Sequence, residues 1–242
     1  ITWYLPDALT DATQKEIWAA SNLLAPMLKK SIKVDGIWRT NQGWFKPSSE
    51  NDVLTPRCIN LSPAWFQQGH KVSTSLKGAS SEKILKAIAR PGAIARVALR
   101  VMHPEQYWAG LRAFSSLGEK AESKELPKMS ETLQYLALVF NSLSMICNQQ
   151  TLNHQDHLLN PECFNILTMV GNYSNAQMSM PSLQLEFRYN PGCMIGFSRR
   201  IVRHGVHAVE GDQIAWAWYM RDSVHIYARV PWCGWVRVDY KQ

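Results

Sequence analysis

The sequence predicts an α+β protein, a jelly-roll β-core flanked by N-terminal helices. Two observations carry this reading: apolar residues in the first half recur at helical spacing, and the second half breaks into short strand-like runs bounded by turn residues. At 242 residues the chain can bury a sizeable core. A single domain, 1–242, is expected, with 1–143 a mainly helical flank and 144–242 the β-core.

The first helix is capped by Asp11 and carries Ile17, Trp18, Leu23, Leu24 and Leu28 towards a core. A second starts at Ser81, carries Ile84, Leu85, Ile88 and Ala89, and is expected to end at Pro91. The run 92–102, GAIARVALRVM, alternates in the period of a strand, with Arg96 and Arg100 on one face. The polar run 115–130, broken by Gly118 and Pro127, reads as a mobile loop. A third helix is expected from about Ser130, where Glu131 favours the positive end of the dipole, through Leu133, Leu136, Ala137 and Val139. Strands are then expected at SMICNQ, FNILTM, LQLEFR, CMIGFS, Val202 to Val209, QIAWAWYM and HIYARV, separated by NPE, NYSN, NPG and EGD. The helices would cover one face of the sheet and hide its edges.

Composition narrows the class without deciding it. With 46% hydrophobic and 19% charged residues, and no apolar run long enough to cross a bilayer, the chain reads as a soluble globular protein. Its opening, ITWYLPDALTDATQKE, lacks the order of a secretory signal and starts at Ile1, so removal of an upstream segment is expected. Five cysteines, at 58, 147, 163, 193 and 233, without a CxxC pair, favour a reducing intracellular compartment over a disulfide framework or structural zinc. The net charge of +7 suits a polyanionic partner, but the basic residues, as in KKSIK at 29–33 and RRIVR at 199–203, are scattered like those of a solvated surface.

The chemistry is carried by TLNHQDHLLN at 151–160. In extended backbone, residues two apart project to one side, so His154 and Asp156 can offer an imidazole and a carboxylate to one point. A second histidine would complete a facial triad, which holds Fe(II) and leaves three positions open. His204, His207 and His225 are the candidates.

The run from FNSLSMICNQQTLNHQDH through GNYSNAQMSMPSLQLEFRYNPGCMIGFSRRIVRHGV to EGDQIAWAWYMRDSVH resembles the Fe(II)- and 2-oxoglutarate-dependent dioxygenases of the basidiomycete TET and base-J-binding-protein-like family, over about residues 140–230. The resemblance implies a double-stranded β-helix, His154, Asp156 and His204 as metal ligands, and Fe(II) with 2-oxoglutarate as cosubstrate. It further implies oxidation of a modified DNA base, 5-methylcytosine or N6-methyladenine, as in DNA demethylation, hence DNA as partner and a nuclear location. A base inside a duplex must be flipped out to be reached. An oxygenase acting on a small molecule or protein side chain is the alternative.

One position departs from the family pattern. The arginine that would bind the distal carboxylate of 2-oxoglutarate falls on Gln213, whose neutral amide is a weaker partner than a charged fork. Three explanations are open: another arginine serves, with Arg203, Arg188, Arg96 and Arg100 to be weighed; the chain binds metal without turnover; or position 213 has been deliberately changed. Arg221 shares a face with Gln213, but eight strand residues, roughly 26 Å, separate them, which places it towards the substrate end. Small Ala215 and Ala217 on that face would leave room for a ligand or pack against the sheet. Asn148 would donate to the cosubstrate or satisfy backbone groups. Of ten tryptophans, Trp216 and Trp218 are expected to pack beneath the helices. His157 should point away from the metal, and Cys193 and Cys233 read as small buried hydrophobes.

Overall fold

In the computed structural model, residues 2–30, 42–47, 50, 53–65, 69–136, 139–157, 159–207 and 210–235 are described. Helix α1 (Asp11–Lys30) follows a short strand β1 (Thr2–Leu5) and buries Ile17, Ala20, Leu24 and Leu28, one stripe at helical spacing. Strand β2 (Arg57–Leu61) precedes helix α2 (Ser81–Met102), which runs through both Pro91 and the stretch expected as a strand.

The reason for that correction is burial. Ile84, Leu85, Ile88, Pro91, Ala95, Leu99 and Met102 are buried at spacings of three and four, while Val97 and Val101 are 61% and 66% exposed. The alternation in 92–102 therefore has no two-sided sheet to serve. Pro91 removes one backbone donor but is itself buried in the stripe.

The expected loop at 115–130 is also helical. Helix α3 (Pro104–Ser123) buries Leu117 and Ala121, and helix α4 (Pro127–Tyr135) starts with Pro127 in its first turn rather than at Ser130. Between them lies only a short turn, with Glu125 in the left-handed region. Ala137 and residues 31–33 of the basic run lie outside the described residues, and Val139 is buried beyond the helix.

The β-core follows as β3 (Ser142–Cys147), β4 (Thr151–His154), β5 (Asn165–Gly171), β6 (Gln177–Met180), β7 (Leu185–Arg188), β8 (Met194–Phe197), β9 (His204–Val206) and β10 (Gln213–Tyr219). The strand expected over Val202 to Val209 is thus three residues long, and 208–209 lie outside the described residues. HIYARV (225–230) is not a strand: its first four residues belong to helix α5 (Asp222–Ala228), which has Asp222 in its first turn and buries Val224, His225 and Ala228.

The strands form two antiparallel sheets, six-stranded β1-β8-β5-β10-β3-β2 and four-stranded β4-β9-β6-β7. Two cores follow from the alternation of side chains along each strand. Ile146, Leu167, Ala215 and Ala217 of the larger sheet meet Met178, Met180 and Val206 of the smaller one. The opposite face of the larger sheet packs under the helices, with Trp216 and Trp218 fully buried and the Trp216 indole donating to Ser21 of α1 at 3.0 Å. The helices cover a face as expected, but β1 and β2 hold the edges of that sheet.

Candidate functional site

Strand pairing assembles the site. β4 and β9 run antiparallel with His154 opposite His204, and their ring centroids are 4.4 Å apart. Residues that are distant in sequence thus become cross-strand neighbours, the closest relation two side chains on a sheet can have.

Each ring is anchored by the same local bond. Nδ1 of His154 bonds the Leu152 carbonyl at 2.9 Å, and Nδ1 of His204 bonds the Val202 carbonyl at 3.0 Å. A carbonyl only accepts, so Nδ1 carries the proton and Nε2 keeps its lone pair. Metal-binding histidines are oriented in the same way. His154 Nε2 stands 3.8 Å from Asp156 Oδ1. The rings of Trp44 and His154 pack nearly at right angles, with centroids 5.0 Å apart.

Burial keeps both imidazoles neutral. It lowers His154 below the usual histidine range, and it pushes His204, only 3% exposed, down to about 3, with Arg199 and His154 adding repulsion. Neutral imidazole is the form that ligates metal.

Arg199, in the turn between β8 and β9, is the residue that sequence reasoning missed. Its Nη2 lies 2.7 Å from Asp156 Oδ2, and its carbonyl accepts the Asp156 N–H at 2.9 Å. Among the described residues no three histidine, cysteine or acidic side chains are drawn around one metal-sized point. At this site the donors stand side by side while Arg199 engages the carboxylate. In the sequence Arg199 is one of three arginines in the basic run RRIVR, and no signal there separates it from Arg200 and Arg203; in the structure it is buried while both of those are exposed.

A narrow cavity between the sheets is lined by His154, His204, Arg199 and Thr151 together with apolar groups such as Leu167, Met178 and Ala215. Gln213 and Asn148 are not part of that lining. Gln213 is 3% exposed at the start of β10, and its amide nitrogen is buried without a hydrogen bond of ordinary geometry. The Asn148 side chain is spent on structure: Nδ2 donates to the Leu54 carbonyl (3.1 Å) and to Asp212 Oδ1 (2.9 Å), and Oδ1 accepts the Gln213 N–H (2.8 Å).

Arg221 does not extend β10; it caps α5, with its guanidinium 4.0 Å above the Trp65 ring. Arg188, Arg100 and Arg203 are exposed, and Arg96 lies with Arg100 on α2. His157 and His207 are exposed, and His225 stacks on Trp232 in the helical layer. Cys193 is buried as expected, but Cys233 is half-buried, with Sγ 3.9 Å from Cys163 Sγ and from His103 Nε2; these neighbours, Cys163 foremost, push its thiol down to about 6.

Comparison with known proteins places the fold. No known sequence family and no curated protein matches the chain. Among solved structures, NgTET1 in complex with 5mC DNA matches with a TM-score of 0.57 and 13% identity, over 98% of this chain and 76% of that one. A prolyl-4-hydroxylase of Pseudomonas putida matches with a TM-score of 0.44 and 9% identity, over 91% and 92%, and bears no weight. No helix among the described residues is long and apolar enough to cross a membrane. What the chain shares with NgTET1 is its fold, which in this chain is two antiparallel sheets with helices against the larger one.

Proposed function

We propose that the chain is an Fe(II)- and 2-oxoglutarate-dependent dioxygenase built on a double-stranded β-helix, with His154, Asp156 and His204 holding the metal. The strand order supports the fold: β3, β5, β8 and β10 lie in one sheet and β4, β6, β7 and β9 in the other, so the chain winds between the two. The observation that carries the reading is the cross-strand pairing of His154 with His204, both with Nδ1 tied to a backbone carbonyl and with Asp156 beside them.

The donor set of two neutral imidazoles and one carboxylate fits Fe(II), which when bound would supply the oxidising chemistry together with 2-oxoglutarate. The protein's own contribution is positional. The Nδ1 bonds fix the planes of both rings, Asp156 supplies the negative charge, and the apolar lining from Leu167, Met178 and Ala215 excludes water.

The proposed substrate is a methylated base in DNA, 5-methylcytosine or N6-methyladenine, acted on in the nucleus. Its support is the fold shared with NgTET1, which was solved with 5mC DNA, and the net charge of +7. Anaerobic addition of Fe(II) and 2-oxoglutarate should produce a visible charge-transfer band that His154→Ala, Asp156→Ala and His204→Ala each remove. Incubation in air with methylated duplex should yield oxidised base by mass spectrometry, and duplex affinity should fall with added salt. Affinity indifferent to salt and methylation would point instead to a small-molecule or protein substrate. A second reading, metal binding without turnover, rests on Gln213, and tight metal binding with no succinate formed would establish it.

A further inference from the structure

Arg199 is 7% exposed and lines the same cavity as the two histidines. Nη2 engages Asp156, while Nε is buried without a hydrogen-bond partner. A guanidinium presents five donors and keeps its charge at any pH proteins tolerate. A cation so placed is stable only beside a negative charge, and among the described residues its salt-bridge partner is the carboxylate of Asp156.

Resting on the function proposed above, a divalent cation held by His154, Asp156 and His204 would compete with Arg199 for that carboxylate. Two cations would then share one anion in a poorly solvated cavity, and the guanidinium would be left in need of a partner. We propose that Arg199 is the anion-binding residue of this site: without metal it neutralises Asp156, and with metal it pairs with a carboxylate of the bound 2-oxo acid. This accounts for the neutral Gln213, which lies outside the cavity lining, and for the other arginines weighed, of which Arg188, Arg100 and Arg203 are exposed. It also makes metal and acid binding cooperative, because the metal releases the group that the acid requires.

The test measures binding, not turnover. Mn(II) is titrated anaerobically into the parent and into Arg199→Gln, and each metal-loaded protein is then titrated with 2-oxoglutarate and with N-oxalylglycine by calorimetry. The expected result for Arg199→Gln is Mn(II) affinity equal to or tighter than the parent's, since Asp156 loses its competitor, with affinity for both acids reduced at least roughly tenfold. Arg199→Lys, which keeps the charge but not the fork, should fall between, and Arg203→Gln on the exposed face should match the parent. Retained metal binding certifies that the variant is folded; if Arg199→Gln does not fold, Arg199→Lys carries the comparison.

Parental affinity for both acids in a metal-loaded Arg199 variant would overturn the role of Arg199 and leave the metal site standing. Loss of Mn(II) binding in both Arg199 variants would make the residue a structural prop and overturn the proposal. A parent protein that binds no Mn(II) would overturn the functional reading itself.

Discussion

At the scale of single residues, the site depends on side chains that serve the backbone as much as on those that face the cavity. Asn148 stands in the left-handed region at φ 55, a conformation asparagine tolerates better than most residues. Its side chain joins β3 to the start of β10 through Asp212, a fully buried carboxylate that also accepts the backbone N–H groups of Val53 and Leu54. Asn148→Ala would strand the Gln213 N–H and part of Asp212 and lose the conformational tolerance, so a loss of about 2 kcal/mol in unfolding free energy is expected from urea denaturation. Full parental stability would show that water replaces the amide. His154 and Asp156 were readable because a two-residue spacing in extended chain has one geometric meaning. Arg199 was not, since nothing in RRIVR states which arginine turns inward; that depends on how the turn carries the chain from β8 in one sheet to β9 in the other.

At the scale of elements, β4 and β9 must approach closely enough for the two histidines to face each other, and Gly205 permits it. A Cβ at Gly205 would lie 2.5 Å from Asn153 Oδ1 and 2.9 Å from the Thr151 carbonyl oxygen, both on β4. Gly205→Ala is therefore expected to part the strands and weaken metal affinity on the order of tenfold, read by anaerobic Co(II) titration, while the far-UV spectrum of the helices stays unchanged. Unchanged affinity would show that the rings do not depend on this approach. The β-core was readable for a related reason: turn residues bracket each strand, and alternation along QIAWAWYM puts alanines on one face and tryptophans on the other. The helical flank was harder. In 92–102, apolar residues are dense enough to satisfy either period, and only the partner surface selects the helix. Residues 222–228 fail differently: HIYARV is too short for its apolar residues to select a period, and the polar Arg221, Asp222 and Ser223 that part it from β10 open a helix, with the Arg221 N–H bonded to Asn141 Oδ1 at 2.8 Å.

At the scale of the whole molecule, both cores contain a histidine that burial holds neutral, which couples the stability of the fold to pH. His204 borders the space between the sheets, pushed down to about 3, and His225 lies in the helical layer, pushed down to about 4 by burial, with Arg112 adding to it. An exposed histidine titrates near 6.5. Below that value the unfolded chain takes up protons that the folded chain refuses, so stability is complete above pH 6.5 and falls as the pH drops towards the folded values. Below about 4, His225 is charged in both states and its contribution stops changing; His204 continues to about 3. Between pH 7 and pH 5 each histidine should cost about 2 kcal/mol of unfolding free energy in the metal-free protein. His225 stacks on Trp232 with ring centroids 4.1 Å apart, and phenylalanine can keep that contact without titrating. His225→Phe should thus remove about half of the acid-dependent loss shared by these two groups, measured by urea denaturation at the two pH values. A variant whose stability falls as steeply as the parent's would show that His225 is not held neutral by the fold.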